Sequence, residues 1–262
     1  MPAPTRSAAI PIIVSNVTLP LFDRTVDLPA RRAGRENPRM RRLLVVATAA
    51  AGYLLWGRPR LLRLGATDDE ASAALPGDEL LTSVGTQSTM ATTIPAPPER
   101  VWPWLAQMGC NRAGWYSWDW LDNARRPSAT RIVEEWQHLS EGDRLSSTPS
   151  GATYFTAAIV DPPRALVLRA DLTIGGKPFD PAVELPAWWS SSTWALVLRP
   201  TDDGGTRLVV RTRSTSRPAW PQRILSTAFW EPAHAIMQRR QFENLRRRTE
   251  HAGGAGNAIG GA

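Results

Sequence analysis

Twelve tryptophans stand in this chain, and six of them (Trp102, Trp104, Trp115, Trp118, Trp120 and Trp136) fall within 35 residues. Large aromatic side chains can line an apolar pocket while their N–H groups orient a bound molecule, and they can equally fill a core. Among them, in GWYSWDWLDN (114–123), stand Tyr116, Asp119 and Asp122. A phenol and carboxylates there could anchor a ligand or exchange protons; helix capping and surface charge use the same residues. Asp119 and Trp115, four apart, share a helical face. Further on, Glu231 and His234 lie three apart on a helical pattern, the spacing of an acid-oriented imidazole and also of a plain helix-surface ion pair. The candidates for ligand contact are Trp104, Trp115, Tyr116, Trp118, Trp120, Trp136, Trp194 and Phe229. Those for proton transfer are Tyr116, Asp119, Glu231 and His234. Glu134 and Glu135 are adjacent, so on a strand at most one of them would enter a cavity. Cys110 follows Gly109 with no histidine near it in sequence, which suits a small buried residue better than a nucleophile.

Other chemistries find little support. A single cysteine excludes an internal disulfide framework, and His138, His234 and His251 belong to no tight ligand motif, so neither a metal nor a cofactor is expected. No nucleophile elbow, phosphate loop, dinucleotide fingerprint or HExxH helix occurs. The net charge of +7 is unevenly placed: residues 1–64 hold 11 Arg against three acids, while the remainder holds 20 basic and 21 acidic residues. The basic character therefore belongs to the N-terminal region, the rest is near neutral, and no nucleic-acid partner is expected.

Four segments follow from composition. Residues 1–42 read as a poorly ordered basic arm and 43–64 as an apolar helix. Residues 65–251 read as one folded domain, and 252–262 as a disordered glycine-rich tail. Leu43 to Trp56 carries 14 uncharged residues between arginines on both sides. As a helix it spans roughly 21 Å, against about 30 Å of bilayer hydrocarbon. Snorkelling arginines, Tyr53 and Trp56 could extend its reach, so the segment reads as a membrane anchor, a packed helix or a late signal peptide. The location is accordingly membrane-associated or cytoplasmic.

Within the domain, Thr86–Pro95 alternates as a strand, and APPERVWPWLAQM continues as a helix with Pro97-Pro98 at its start and Val101, Trp104, Leu105 and Met108 on one face. A short helix is expected in 114–123, while Arg131–Leu139 fits strand or helix. Strands are expected at 143–147, 154–160, 165–170, 193–199 and 207–213, the last two joined by the hairpin signal TDDGG. Residues 172–192 form an irregular insertion or lid. From Trp220 to His251 runs the longest helical pattern, with a kink or break expected at Pro232. This order predicts an α+β fold: a curved antiparallel sheet, two short helices after the first strand, and a long C-terminal helix.

The stretches APPERVWPWLAQMG, GWYSWDWLDN and RIVEEWQHLSEGD, with GTRLVVRTR and WEPAHAIMQRR, resemble the actinobacterial branch of the SRPBCC superfamily, the START-like and polyketide cyclase-like helix-grip proteins. The resemblance covers about residues 65–251 of what it implies is a bacterial protein. It implies a sheet wrapped around the C-terminal helix, and a cavity between them that binds a small hydrophobic or amphipathic molecule such as a lipid, a polyketide-like compound or an aromatic metabolite. A cyclase- or hydratase-like enzyme using the same cavity, or a surface-interaction protein with a filled core, are the alternatives.

Overall fold

A computed structural model describes residues 37–257, with side chains as far as Glu250. The arm assigned to 1–42 thus lies outside the described residues up to Glu36, and the tail lies outside them beyond Asn257. The chain divides into two compact units, 1–46 and 47–262. Of the first, only 37–46 are described, and they open helix α1 (Pro38–Gly52), which starts five residues before the expected Leu43. Among the described residues, no helix is long and apolar enough to cross a membrane. That corrects the transmembrane reading of Leu43–Trp56: α1 gives way to a π-helical turn at Tyr53–Gly57 and to the short α2 (Arg58–Leu61), and Arg58, Arg60 and Arg63 follow the apolar run directly.

The second unit is built on six antiparallel strands in the order β1-β6-β5-β4-β3-β2. Their ranges are β1 (Thr86–Ile94), β2 (Arg144–Ser146), β3 (Tyr154–Asp161), β4 (Ala165–Thr173), β5 (Trp189–Pro200) and β6 (Thr206–Arg217). The hairpin between β5 and β6 turns at Thr201–Gly205, with Gly204 at φ +79°. Two helices follow β1: α4 (Pro98–Ala106), which buries Val101, Trp102, Trp104 and Leu105, and α5 (Asp119–Asp122). Arg131–Leu139 resolves into a single 3-10 turn at Glu134–Trp136, so neither of those glutamates is on a strand. The C-terminal element comprises α6 (Ala219–Leu225), a π-helical turn at Ser226–Trp230, and α7 (Glu231–Asn257). The fold is α+β, a helix grip.

The expected disturbance at Pro232 takes the form of that π turn. Glu231 N–H reaches back five residues to the Ser226 carbonyl, and Pro232 has no N–H to donate. The Thr227 carbonyl is instead taken by the Tyr53 hydroxyl at 2.8 Å. The N-terminal helix repeats the device: Arg58 N–H reaches back to Tyr53, directly before Pro59.

Core packing follows strand alternation. Met90, Ile94, Leu166, Leu168, Leu196, Leu198, Leu208 and Val210 meet α4 and the Ala235, Phe242 and Leu245 side of α7 in one cluster. On the opposite face of the sheet, Ala91, Val197 and Val209 pack under Leu75. That second layer comes from 65–81 and contains α3 (Asp68–Ser72), opened by a Thr67–Glu70 capping box. Arginines of β6 hold it down. Arg207 pairs with Glu70 at 2.7 Å, and the buried Arg211 bonds Asp78 at 2.6 Å and the carbonyls of Glu70, Ala71 and Ala73. Gly65 leads into this layer at φ +72°, and a Cβ there would lie 2.2 Å from the Ala91 carbonyl oxygen, so no other residue fits.

Candidate functional site

Register decides what the helix-facing side of the sheet presents. Residues paired across antiparallel strands share a face, so each rung can be followed from β1 to β4. One rung is Met90–Val210–Leu196–Leu166, wholly apolar. The next is Ser88–Thr212–Trp194–Leu168, then Thr86–Ser214–Ser192–Ala170, and beyond β1 Ser216–Ser190–Leu172. The inner face therefore changes from aliphatic to hydroxyl-bearing towards the end where α6 crosses. Two hydroxyl pairs bridge β1 and β6, Ser88–Thr212 at 2.6 Å and Thr86–Ser214 at 2.7 Å.

An aromatic wall stands at the border between the two halves. Trp115, Phe155 and Trp194 have ring centroids 5.5–5.9 Å apart, and the His234 imidazole meets Trp194 edge-on at 6.4 Å. The Trp194 indole N–H is buried without a partner, and so is the side-chain oxygen of Gln238, one turn after His234. Gln238 donates to Gln241, which in turn donates to the Trp115 carbonyl at 2.9 Å and fixes that wall to α7. Burial lowers the half-buried His234 to a pKa of about 4, so at neutral pH it is an uncharged ring with one donor and one acceptor. A hollow of about 60 Å³ lies between this hydroxyl end and the helix above, lined by Thr86, Ser214, Ser216, Gln222 and Ser226 among others. A second hollow, of about 270 Å³, opens beside Arg58, Leu62, Gln87 and Thr89.

The residues singled out from sequence are distributed as follows. Trp115 and Trp194 are in the wall. Trp104 is buried edge-on to Tyr116 in the core, and Trp136 packs against that core from outside. Trp118 lies partly exposed under the Arg240 guanidinium, and Trp120 and Phe229 are exposed. Tyr116 is fully buried at φ +60°, accepts a hydrogen bond from Gln107 at 2.8 Å and lies beneath Arg248; burial pushes its phenol well above the usual range. Asp119 accepts from the backbone N–H (3.0 Å) and hydroxyl (2.5 Å) of Ser128 and so closes its own loop.

Glu231 is buried and takes a two-pronged bond from Arg58, at 2.6 and 2.8 Å, not from His234. Asp122 keeps both oxygens buried without a partner, while the Ser117 hydroxyl donates to the Met237 carbonyl. Burial and the neighbouring Asp119 raise the Asp122 pKa to about 6. Cys110 is buried, and burial raises its thiol pKa. Of the four proton-transfer candidates, only His234 borders the hydroxyl-lined face.

Sequence reasoning passed over the serines and threonines of that face. A signal for them exists in strand phase: Ser190 and Ser192 alternate in step with Trp194, Leu196 and Leu198, and Thr212, Ser214 and Ser216 in step with Leu208 and Val210.

No family model and no curated protein matches the sequence. Solved structures with a similar fold include the protein MLL2253 of Mesorhizobium loti (18% identity, 63% of this chain and 98% of that one, TM-score 0.35). CalU16 of Micromonospora echinospora is similar at 16% identity over 66% of this chain and 87% of its own, TM-score 0.31. DynU16, from the dynemicin biosynthetic locus, is similar at 15% identity over 61% of this chain and 46% of its own, TM-score 0.32.

Proposed function

We propose that the chain is a helix-grip protein of the SRPBCC superfamily that binds a small amphipathic molecule, without transforming it, between the hydroxyl-bearing end of the sheet and the α6–α7 junction. One observation carries this reading: a helix-facing sheet surface set with serines and threonines beside a buried Trp194 N–H that has no partner. Buried donors are normally satisfied. An aromatic wall with a free N–H, next to a floor of hydroxyls, suits a ligand with a flat or apolar body and a hydrogen-bonding end. Three of the four groups suited to proton transfer are committed to Gln107, Ser128 and Arg58, which favours binding over catalysis.

The hollow of about 60 Å³ is lined by Thr86, Ser214 and Ser216 but not by Trp194 or Ser192, and it is smaller than the roughly 300 Å³ at which small-molecule pockets begin. Occupancy therefore requires α6 and its π turn to lift. Among residues 219–230 only Ser226 is buried, so few apolar contacts resist that motion.

The test uses the full chain with anilinonaphthalene sulfonate as an amphipathic aromatic probe, followed by fluorescence. Ser192→Leu, which fills the floor, is expected to abolish binding. Trp194→Phe, which keeps the wall and removes the N–H, is expected to weaken it roughly fivefold. Equal affinity in wild type and both variants would overturn the reading, as would binding lost only on changing exposed Trp56 and Trp220.

A further inference from the structure

The helices at 47–61 and 219–231 are amphipathic the wrong way round for a protein that meets only water. Four of their polar residues turn inward: Tyr53 bonds the Thr227 carbonyl, Arg58 grips Glu231, and Ser226 is buried. Their large apolar residues turn outward. Leu55 and Trp56 are 71% and 70% exposed on the first helix, and Trp220 and Ile224 are 70% and 64% exposed on the second. Leu54, Leu225 and Trp230 are also exposed. The two tethers, Tyr53 to Thr227 and Arg58 to Glu231, advance together along both segments, so the helices run side by side in the same direction. Large apolar side chains left exposed on two neighbouring helices mark an interaction site.

Charge selects the partner. From Ala47 to Gly65 and from Arg217 to Trp230 there is no aspartate or glutamate, while Arg60, Arg217 and Arg223 are exposed among the tryptophans. Arg60 lies over the Trp56 ring, 5.6 Å from its centroid. A second copy of the chain would set arginine against arginine with no carboxylate to pair. Tryptophan and arginine without acids are instead the composition that settles into the headgroup layer of an anionic bilayer, the rings at the acyl boundary and the guanidinium groups on phosphates.

We infer that this pair of helices is a docking face for an anionic lipid surface, lying in the interface without crossing the bilayer. The inference is independent of the small-molecule pocket.

Sedimentation of the full chain with phosphatidylcholine vesicles, with and without one-third phosphatidylglycerol, tests it. Binding is expected only to the anionic vesicles and is expected to fall as salt rises. Arg60→Gln and Arg217→Gln are each expected to weaken it roughly fivefold. The combined Trp56→Ser, Trp220→Ser and Ile224→Ser variant is expected to lose it by at least tenfold with an unchanged far-UV spectrum. Should the triple variant fail to fold, the two exposed arginine variants still decide the matter. Equal binding to neutral and anionic vesicles, or no binding to either, would overturn the inference. So would a concentration-dependent dimer that the triple variant abolishes in the absence of vesicle binding.

Discussion

Replacing His234 by leucine is expected to change how stability varies with pH. The imidazole rests against Trp194, and burial brings its pKa from 6.5 to about 4. The folded protein thus keeps the ring neutral while the unfolded chain protonates it below pH 6.5, so stability is lost as pH falls from 6.5 towards 4. Each pKa step corresponds to about 1.4 kcal/mol. The full loss would be about 3 kcal/mol; pH 4.5 is still above the folded-state pKa, so about 2–2.5 kcal/mol is lost by then.

Asp122 acts in the other direction. Its pKa is raised from 3.8 to about 6, so the folded state holds a proton that the unfolded chain releases, and stability is gained as pH falls through that range. The contributions of these two groups nearly cancel between pH 7 and 4.5. His234→Leu is expected to be more stable at pH 4.5 than at pH 7 by about 2 kcal/mol, and Asp122→Asn less stable by a similar amount. Urea unfolding followed by far-UV circular dichroism at the two pH values measures both. A His234→Leu protein whose change between the two pH values matches that of wild type would refute the reasoning.

Two further substitutions probe what holds the molecule together. Arg58→Met leaves the buried Glu231 without its counter-charge; because Arg58 is 28% exposed, a cost of about 2–3 kcal/mol is expected, near the lower end for a buried pair. Glu231→Gln, which keeps a hydrogen bond to Arg58, should cost less, and urea midpoints compare the two. Arg211→Lys cannot reproduce a fork that reaches Asp78 and three carbonyls, so it should cost about 2–3 kcal/mol and expose residues 65–81 to protease early in unfolding. A loss below about half a kcal/mol would mean that the Arg207–Glu70 pair and Leu75 packing hold the segment without Arg211.

Local patterns in the sequence specified most of the elements. Alternation marked the longer strands, TDDGG marked the β5–β6 hairpin, and Pro97-Pro98 before Val101, Trp104 and Leu105 marked α4, because strand and helix periods and turn chemistry act over a few residues. The break before α7 was also legible, since Pro232 lacks an N–H wherever it is placed. Its form was not: whether the helix kinks, ends or inserts a π turn depends on Tyr53, 174 residues earlier, being there to take the Thr227 carbonyl.

The candidate site divides in the same way. The density of tryptophan was visible at once, yet GWYSWDWLDN placed Trp115 in the wall and Trp120 in solvent, because a loop with Tyr116 at positive φ follows no period from which facing could be read. Arg131–Leu139 was open between strand and helix for want of a clear period. The union of Ser88, Thr212 and Trp194 in one rung was set by strand pairing over more than a hundred residues. Glu231 was turned from His234 to Arg58 by the approach of α2. Local composition and spacing determine which elements form. The long-range register of the sheet and the burial of charges beside distant partners decide which side chains face the same space, and only the tertiary structure supplies both, because their energies come from contacts between residues far apart in the chain.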